Sequence, residues 1–446
     1  MSIPRDTPSG ASSTCLSAIR SAGRHRPRRL MHPGVAAATA AVALLACGCG
    51  SGTSPTATTA TIAPGSPWLG AFAAVALPVP VNSLQAVDCV DASRCWAVGS
   101  TVGVGGAANG AAVITTTTGG AAWSSQAIPT AVGYLSGIAC SDRRHCTAVG
   151  QAGQGSNGPG AIITTSDGGA AWTQQSVPAG MSDVTAVSCL ADGRCTALGT
   201  VPGGVAALVS PGSSSPWLQE GTLPAAVSGA TSISCTDVQH CWVAARTTVD
   251  LSHVAGAVDV TLDGGATWRA LPVPVGIGNL DGVSCLDGSA TNTSPTQGTG
   301  TSTSTLPTPG TGTSTTGGNA TPLGVPGVAC AVVGTTDTTL NGTRTGHGIV
   351  LTTSSGGAEW SSQPVTPIAA SLMGVSCTAP GSCVAVGSTV ATSAQAGLVM
   401  LTGPNGATWR QAAVVGAPQP LTAVNCVSSS RCVVVGESIS EHLEGG

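Results

Sequence analysis

Residues 81–437 carry short apolar runs rich in Val, Ile, Thr and Ala, each closed off by Gly, Asp, Ser or Pro. Runs this short predict β-strands and leave no room for helices. The pattern also recurs about every 49 residues: L-x-x-V-x-C, five turn residues, C-x-A-V-G, a variable loop, G-A-x-I-T-T, x-x-G-G-A-x-W and a stretch ending in V-P. The second unit shows it whole, with LSGIAC, SDRRH, CTAVG and GAIITTSDGGAAWTQQSVP. Each unit reads as four antiparallel strands, A to D. A single four-stranded meander leaves a face uncovered, so the units must stack, and stacking in a closed ring leaves only short edges. The expected fold is therefore all-β, a seven-bladed β-propeller of four-stranded antiparallel blades. The last unit stops after CVVVGES with strands A and B alone, while TATTATIAPGSPW and VALPVP ahead of the first cysteine supply a C and a D. Closure by pairing of the N- and C-terminal strands follows. Trp68, Trp123, Trp172, Trp217, Trp268, Trp360 and Trp409 mark the start of strand D in each unit.

The cysteines fall into the same frame as the pairs Cys89/Cys95, Cys140/Cys146, Cys189/Cys195, Cys235/Cys241, Cys285/Cys330, Cys377/Cys383 and Cys426/Cys432. Turn formers between β-branched runs place each pair across an A–B hairpin, within disulfide reach. The spacing is not that of a zinc site, and C-x-x-C-H for haem is absent, so neither a metal nor a cofactor is expected.

The turn before the strand D tryptophan resembles the Asp-box, or BNR repeat, S/T-x-D-x-G-x-T-W, of sialidase-like and YCF48-like β-propellers. TLDGGATW (Thr261 to Trp268) matches in full and TSDGGAAW (Thr165 to Trp172) nearly so; TTTGGAAW, TSSGGAEW and TGPNGATW lose the Asp. The resemblance covers residues 56–437 apart from one insertion and implies the propeller fold. The box itself reads as a structural turn, with Asp accepting from backbone amides and Trp packing over the hairpin end.

The N-terminus adds an address. RHRPRR, the apolar stretch Val35 to Ala46 and Cys47 form an export signal whose LLAC run resembles a bacterial lipobox, with Cys47 as the lipidated residue. The domains expected are 1–47 signal, 48–55 tether, 56–437 propeller with a disordered Ser/Thr/Gly/Pro insertion at 288–326, and 438–446 tail. An exported, membrane-anchored protein keeps its disulfides. The chain has 15 basic against 19 acidic residues, net charge −4, and six of those basic residues precede residue 30. Nucleic acid is thus not an expected partner, and a monomer with a GC-rich, actinobacterial style of composition is expected.

Candidate chemistry lies where the repeat is least regular. The A–B and C–D turns share one face, with Arg94, His145, Arg194, His240 and Arg431 in the turns there, either as a basic ring or as solvated turns. The B–C and D–A connections make the other face. Two B–C loops stand out, one with Arg246, Asp250 and His253, the other with Asp337, Arg344 and His347; Tyr134, Asp183 and Asp281 lie in D–A connections. This is the candidate binding face for a protein or glycan at the cell envelope. The rival reading is a glycosidase of sialidase type, active or degenerate. Arg246 and Arg344 fall short of the three-arginine cluster such an enzyme implies, and Tyr134 is the only tyrosine. The expectation is a non-catalytic binding or scaffold protein.

Overall fold

The computed structural model describes residues 57–438 apart from 63–71, 79–80, 103–107, 154–157, 213–214, 250–253, 288–323, 337–338, 341–342, 345, 367–368, 390–395, 404–405, 407, 413 and 416–418. Cys47, the leader, the tether, Asp250, His253, Asp337, residues 439–446 and nearly all of the 288–326 insertion lie outside the described residues.

The described chain is all-β and propeller-like, with antiparallel four-stranded meanders. Unit 2 is typical, its strands Val132–Cys140, Cys146–Ala152, Gly160–Thr165 and Thr173–Gln175 pairing in order. The expectation of seven blades is corrected. Counted as continuous hydrogen-bonded sheets, the propeller has six blades: four sheets of four strands, one of five and one of nine, besides a two-stranded ribbon. The finding that overturns seven is the pair Ser83↔Glu437, which joins the strands of the first and last cysteine units into the single nine-stranded sheet. The N-terminal strand Ala57–Ile62 lies in that sheet, antiparallel to the C-terminal strand Arg431–Ser438.

Seven apolar clusters hold successive units together. The one between units 1 and 2 gathers Trp96, Val98, Val113, Leu135, Ile138 and Ile163, and equivalent positions rebuild it at each later junction. A fully buried Leu or Ile contributes roughly 1.5–3 kcal/mol, so the junctions supply most of the cohesion.

Every expected disulfide forms, each within its own unit. Six bridges, Cys89–Cys95, Cys140–Cys146, Cys189–Cys195, Cys235–Cys241, Cys377–Cys383 and Cys426–Cys432, span a sequence separation of 6. The seventh, Cys285–Cys330, spans 45. The paired cysteines stand directly opposite one another in the A–B ladder, as in Cys89↔Cys95, Cys189↔Cys195 and Cys426↔Cys432. The second partner goes deeper: Cys95, Cys195 and Cys432 are buried in the apolar clusters, whereas Cys89, Cys189 and Cys426 are partly exposed beside them. Each bridge therefore ties the outer turn to the core beneath it.

The TxDGGAxW turns follow from local chemistry. Gly169 N–H donates to Thr165 Oγ1 at 2.9 Å, and Ala171 N–H donates to Asp167 Oδ1 at 3.0 Å. Gly168 and Gly169 both take positive φ, 79° and 95°, which L-residues with side chains rarely adopt. In TSSGGAEW a hydroxyl replaces the missing Asp: Glu359 N–H donates to Ser355 Oγ at 3.1 Å and Gly357 N–H to Thr353 Oγ1 at 3.1 Å. The fold of the turn therefore survives loss of the carboxylate. The A–B and C–D turns of units 1, 2 and 4 also meet, as in Gly168 N–H to Arg144 O at 2.9 Å.

The cations of this face neither form a basic ring nor stand free in solvent. Arg431 donates to Ala92 O at 2.6 Å, Arg194 to Gly264 O at 3.3 Å and Arg94 to Arg143 O at 3.3 Å, each reaching a neighbouring unit. His145 and His240 instead pair with Asp142 and Asp237 of their own turns.

Candidate binding site in the axial cavity

The site is built on an irregularity shared by every unit. In L-x-x-V two core residues stand three apart, whereas a regular strand buries every second residue. The strands resolve the conflict with a β-bulge at one position throughout. Register breaks fall between Leu84 and Ala86, Leu135 and Gly137, Val184 and Ala186, Ala230 and Ser232, Leu280 and Gly282, Leu372 and Gly374, and Leu421 and Ala423. A bulge re-aims the extra side chain. The extra residues are Gln85, Ser136, Thr185, Thr231, Asp281, Met373 and Thr422, and all seven line one cavity of about 170 Å³ among the first strands.

The glycine of C-x-A-V-G serves the same device. A Cβ on Gly99, Gly150, Gly334 or Gly387 would collide with the carbonyl oxygen of the residue just before the bulged turn of strand A: Ser83, Tyr134, Asn279 or Ser371. Unit 4 has Ala245 at that position.

Several bulge hydroxyls are spent on holding neighbours. Thr231 Oγ1 donates to Leu280 O at 2.9 Å, Thr422 Oγ1 to Leu84 O at 2.6 Å and Ser136 Oγ to Val184 O at 3.0 Å. Asp281 is the only charged residue lining the cavity among the described residues. Burial raises its pKa to about 6, against the opposing pull of the Arg246 charge and the amide of Asn279, which donates to it. Arg246 itself is exposed, toward the end of Cys241–Thr248.

A second pair stands at the aligned position one residue before the apolar residue that opens each bulge. Tyr134 Oη donates to Asp183 Oδ2 at 2.6 Å, across units 2 and 3. Burial, reinforced by the carboxylate, pushes the Tyr134 phenol up from its ordinary value; burial also raises Asp183, against the tyrosine bond. Tyr134 thus keeps its phenolic proton, directed at the Asp183 carboxylate.

The structure distributes the sequence candidates unevenly. It joins Tyr134 to Asp183, leaves Arg246 acting on Asp281 through its charge alone, and sets all three of Tyr134, Asp183 and Asp281 inside strands (Val132–Cys140, Asp183–Cys189, Ile277–Asp287) rather than in D–A connections. Arg344 lies on the ribbon strand Thr343–Arg344. His347 is exposed, its N–H donating to Thr336 Oγ1 at 3.0 Å, and it is not brought to the cavity lining.

One polar network escaped the sequence reading. In every unit but the second, the residue before the first cysteine reaches the next unit: Ser188 Oγ accepts from Cys235 N at 3.2 Å, Ser234 from Cys285 at 3.0 Å, Ser284 from Cys377 at 3.1 Å and Ser376 from Cys426 at 3.0 Å. In unit 1 the position is Asp88, which accepts from Cys140 N at 2.7 Å, Cys89 N at 3.0 Å and Asn425 Nδ2 at 2.9 Å. Burial raises Asp88 to about 6 even so. Alignment of the x in V-x-C, polar in six units and alanine only at Ala139, was the available signal.

No family model and no curated protein sequence matches the chain. Among solved structures it is similar to YCF48 bound to D1 peptide, with a TM-score of 0.51 and 12% identity over 87% of this chain and 96% of that one. It is also similar to the GH74 enzyme of Niastella koreensis, with a TM-score of 0.50 and 14% identity over 81% of this chain and about half (52%) of the enzyme. At such identities the likeness is one of fold, and the fold common to them is the β-propeller.

Proposed function

We propose that this chain is a non-catalytic binding protein of the Asp-box propeller type, exported and lipid-anchored through Cys47, that engages a protein or glycan of the cell envelope at the rim of the axial cavity. The observation that carries the reading is the Tyr134–Asp183 bond. A tyrosine nucleophile must give up its proton, yet here burial and the adjacent carboxylate hold it in place. The pair offers a rigid hydrogen-bonding edge, with exposed Arg246 supplying a cation. The YCF48 structure holds a peptide, and an extended protein segment is the partner we favour.

A glycoside hydrolase is the second reading, and one observation favours it: a carboxyl titrating near 6, as Asp281 does, has the proton a general acid needs. The two separate cleanly. A photo-crosslinking amino acid at position 246 should capture a defined partner from the native envelope, whereas one at Val238, exposed in an A–B turn, should not. Equal capture at both positions sinks the rim. Hydrolysis of a fluorogenic sialoside by the purified protein, lost in Tyr134→Phe or Arg246→Ala, replaces the binding reading with the enzymatic one.

A further inference from the structure

Units 5 and 6 enclose a cleft of about 490 Å³ beside their C–D turns, within the roughly 300–1,000 Å³ span of ligand pockets. Beside it, a glutamine that could cross to the next unit folds back instead, as Gln175 of unit 2 also does. In unit 1, Gln126 stands three residues after Trp123 and crosses to unit 2. There it accepts from Trp172 Nε1 at 2.9 Å and donates to Gly168 O at 3.4 Å. The matching residue of unit 5 is Gln363, three after Trp360. It folds back on its own sheet, donating to Thr352 Oγ1 at 3.1 Å and Ser361 Oγ at 3.4 Å. Trp409 of unit 6 is 3% exposed, and its Nε1 makes no hydrogen bond within the protein.

Trp360 shares this condition. Leu271 packs against Gly357 and Trp360 where a glutamine would have offered an acceptor, and Trp360 Nε1 is also without a partner within the protein. Two indole donors therefore line one cleft, each in want of an acceptor, and an unmade buried hydrogen bond is costly. Other parts of the wall are hydroxyl-bearing, as at Ser354, or apolar, as at the Cys377–Cys383 bridge. Among the described residues its only charged side chain is Glu359.

We propose that this cleft binds a neutral saccharide. Sugar hydroxyls accept from indole N–H groups while donating to serine, threonine and glutamine oxygens, and the C–H faces of the ring pack on indole and sulfur. With no cation on the described wall and one carboxylate, the cleft disfavours anionic sugars. It is independent of the cavity rim, and Arg246→Ala should leave it untouched.

The test uses the full disulfide-bonded protein with ¹⁵N-labelled indoles, titrated with cellotetraose, maltotetraose and N-acetylchitotetraose, and with sialyllactose as the anionic control. The Trp360 and Trp409 N–H resonances should move saturably with at least one neutral sugar while Trp172 and Trp242, whose indoles are already bonded, stay still. Trp409→Phe keeps the bulk, removes the donor and should weaken binding by roughly tenfold, about the worth of one hydrogen bond. Ser354→Arg, at an exposed wall position, should abolish binding without disturbing the core, and it carries the test should Trp409→Phe not fold. No saturable shift with any neutral sugar, equal response to sialyllactose, or full binding by Ser354→Arg would each overturn the assignment.

Discussion

Asp88 and Asp281 sit on the same kind of strand, three residues apart in the aligned repeat, and burial raises both to about 6. Their surroundings make them opposites. Asp88 receives three hydrogen bonds from units 7, 1 and 2, and it stitches the seam where the chain's first and last units meet. Asp281 stands at a bulge, facing a cavity, where units 2, 3, 4 and 7 carry Ser136, Thr185, Thr231 and Thr422. A shifted carboxyl is thus no guide to function by itself. What distinguishes them is whether the donors around the carboxyl belong to scaffold or leave it facing open space.

The sharpest way to break this division between a scaffold end and a site end is to cut the scaffold. In the chain-entropy account a bridge stabilises by restricting the unfolded chain, more for longer loops. Cys285–Cys330 spans 45 residues and Cys235–Cys241 spans 6. Serine at both positions of the former should cost about 4 kcal/mol, and of the latter about 2 kcal/mol, read from urea midpoints. Equal costs would show that native-state contacts, and not loop length, set the value of each bridge.

At the site end the expected sign reverses. Asp281→Thr installs what units 3, 4 and 7 already have and should stabilise the protein. The folded-state pKa, about 6, lies above the ordinary 3.8, so the folded form keeps its proton where the unfolded form has lost it. Stability attached to this group is complete below pH 4 and drains away as pH rises through 6. At about 1.4 kcal/mol per pKa unit, the variant should gain at most about 3 kcal/mol at pH 7 and nothing at pH 4. The slope of stability against pH between 4 and 6 should fall by about one proton. A variant less stable at pH 7 would make Asp281 scaffold after all.

Asp88→Ala tests the other half. Loss of the carboxylate strands the Cys140 amide and the Asn425 side chain, while removing a charge that burial disfavours, so the two effects partly offset. A net loss of about 2 kcal/mol is expected at pH 7. Thermal melts of Asp88→Ala beside Asp281→Thr should therefore move in opposite directions.

The sequence made the repeat, the strands, the disulfides and the joined ends legible because each follows from local chemistry: turn residues between cysteines, β-branched runs, a truncated last unit. The blade count was not, because Ser83↔Glu437 is a backbone pair between strands at opposite ends of the chain and depends on no side-chain signal. At the site, Tyr134, Asp183, Arg246 and Asp281 were visible as departures from consensus, but their pairing was not, since it needs the angular position of each unit. The bulge was legible and went unread, for buried Leu84 and Val87 three residues apart cannot both face inward on a regular strand. Asp259 was legible in the same way: it fills a fully buried slot that holds Ile114, Ile163, Leu208, Leu351 and Met400 in other units, and burial raises it to about 6.

The smallest expected effect lies in the network of hydrogen bonds before the cysteines, which unit 2 interrupts. Ser188, Ser234, Ser284 and Ser376 each offer an oxygen to the amide of the next unit's first cysteine, but Ala139 has none to offer Cys189. Ala139 is 8% exposed, so a serine there would form its bond largely out of water. Serine adds a single oxygen to alanine, and the four serine units show that the strand geometry accepts it. Ala139→Ser should thus stabilise by about 1 kcal/mol, the usual net worth of one hydrogen bond, and slow hydrogen exchange at the Cys189 amide. Slower exchange would localise the gain to the junction of units 2 and 3. A stability gain without it would mean that the serine acts elsewhere, and that the network is four separate contacts rather than one continuous seam.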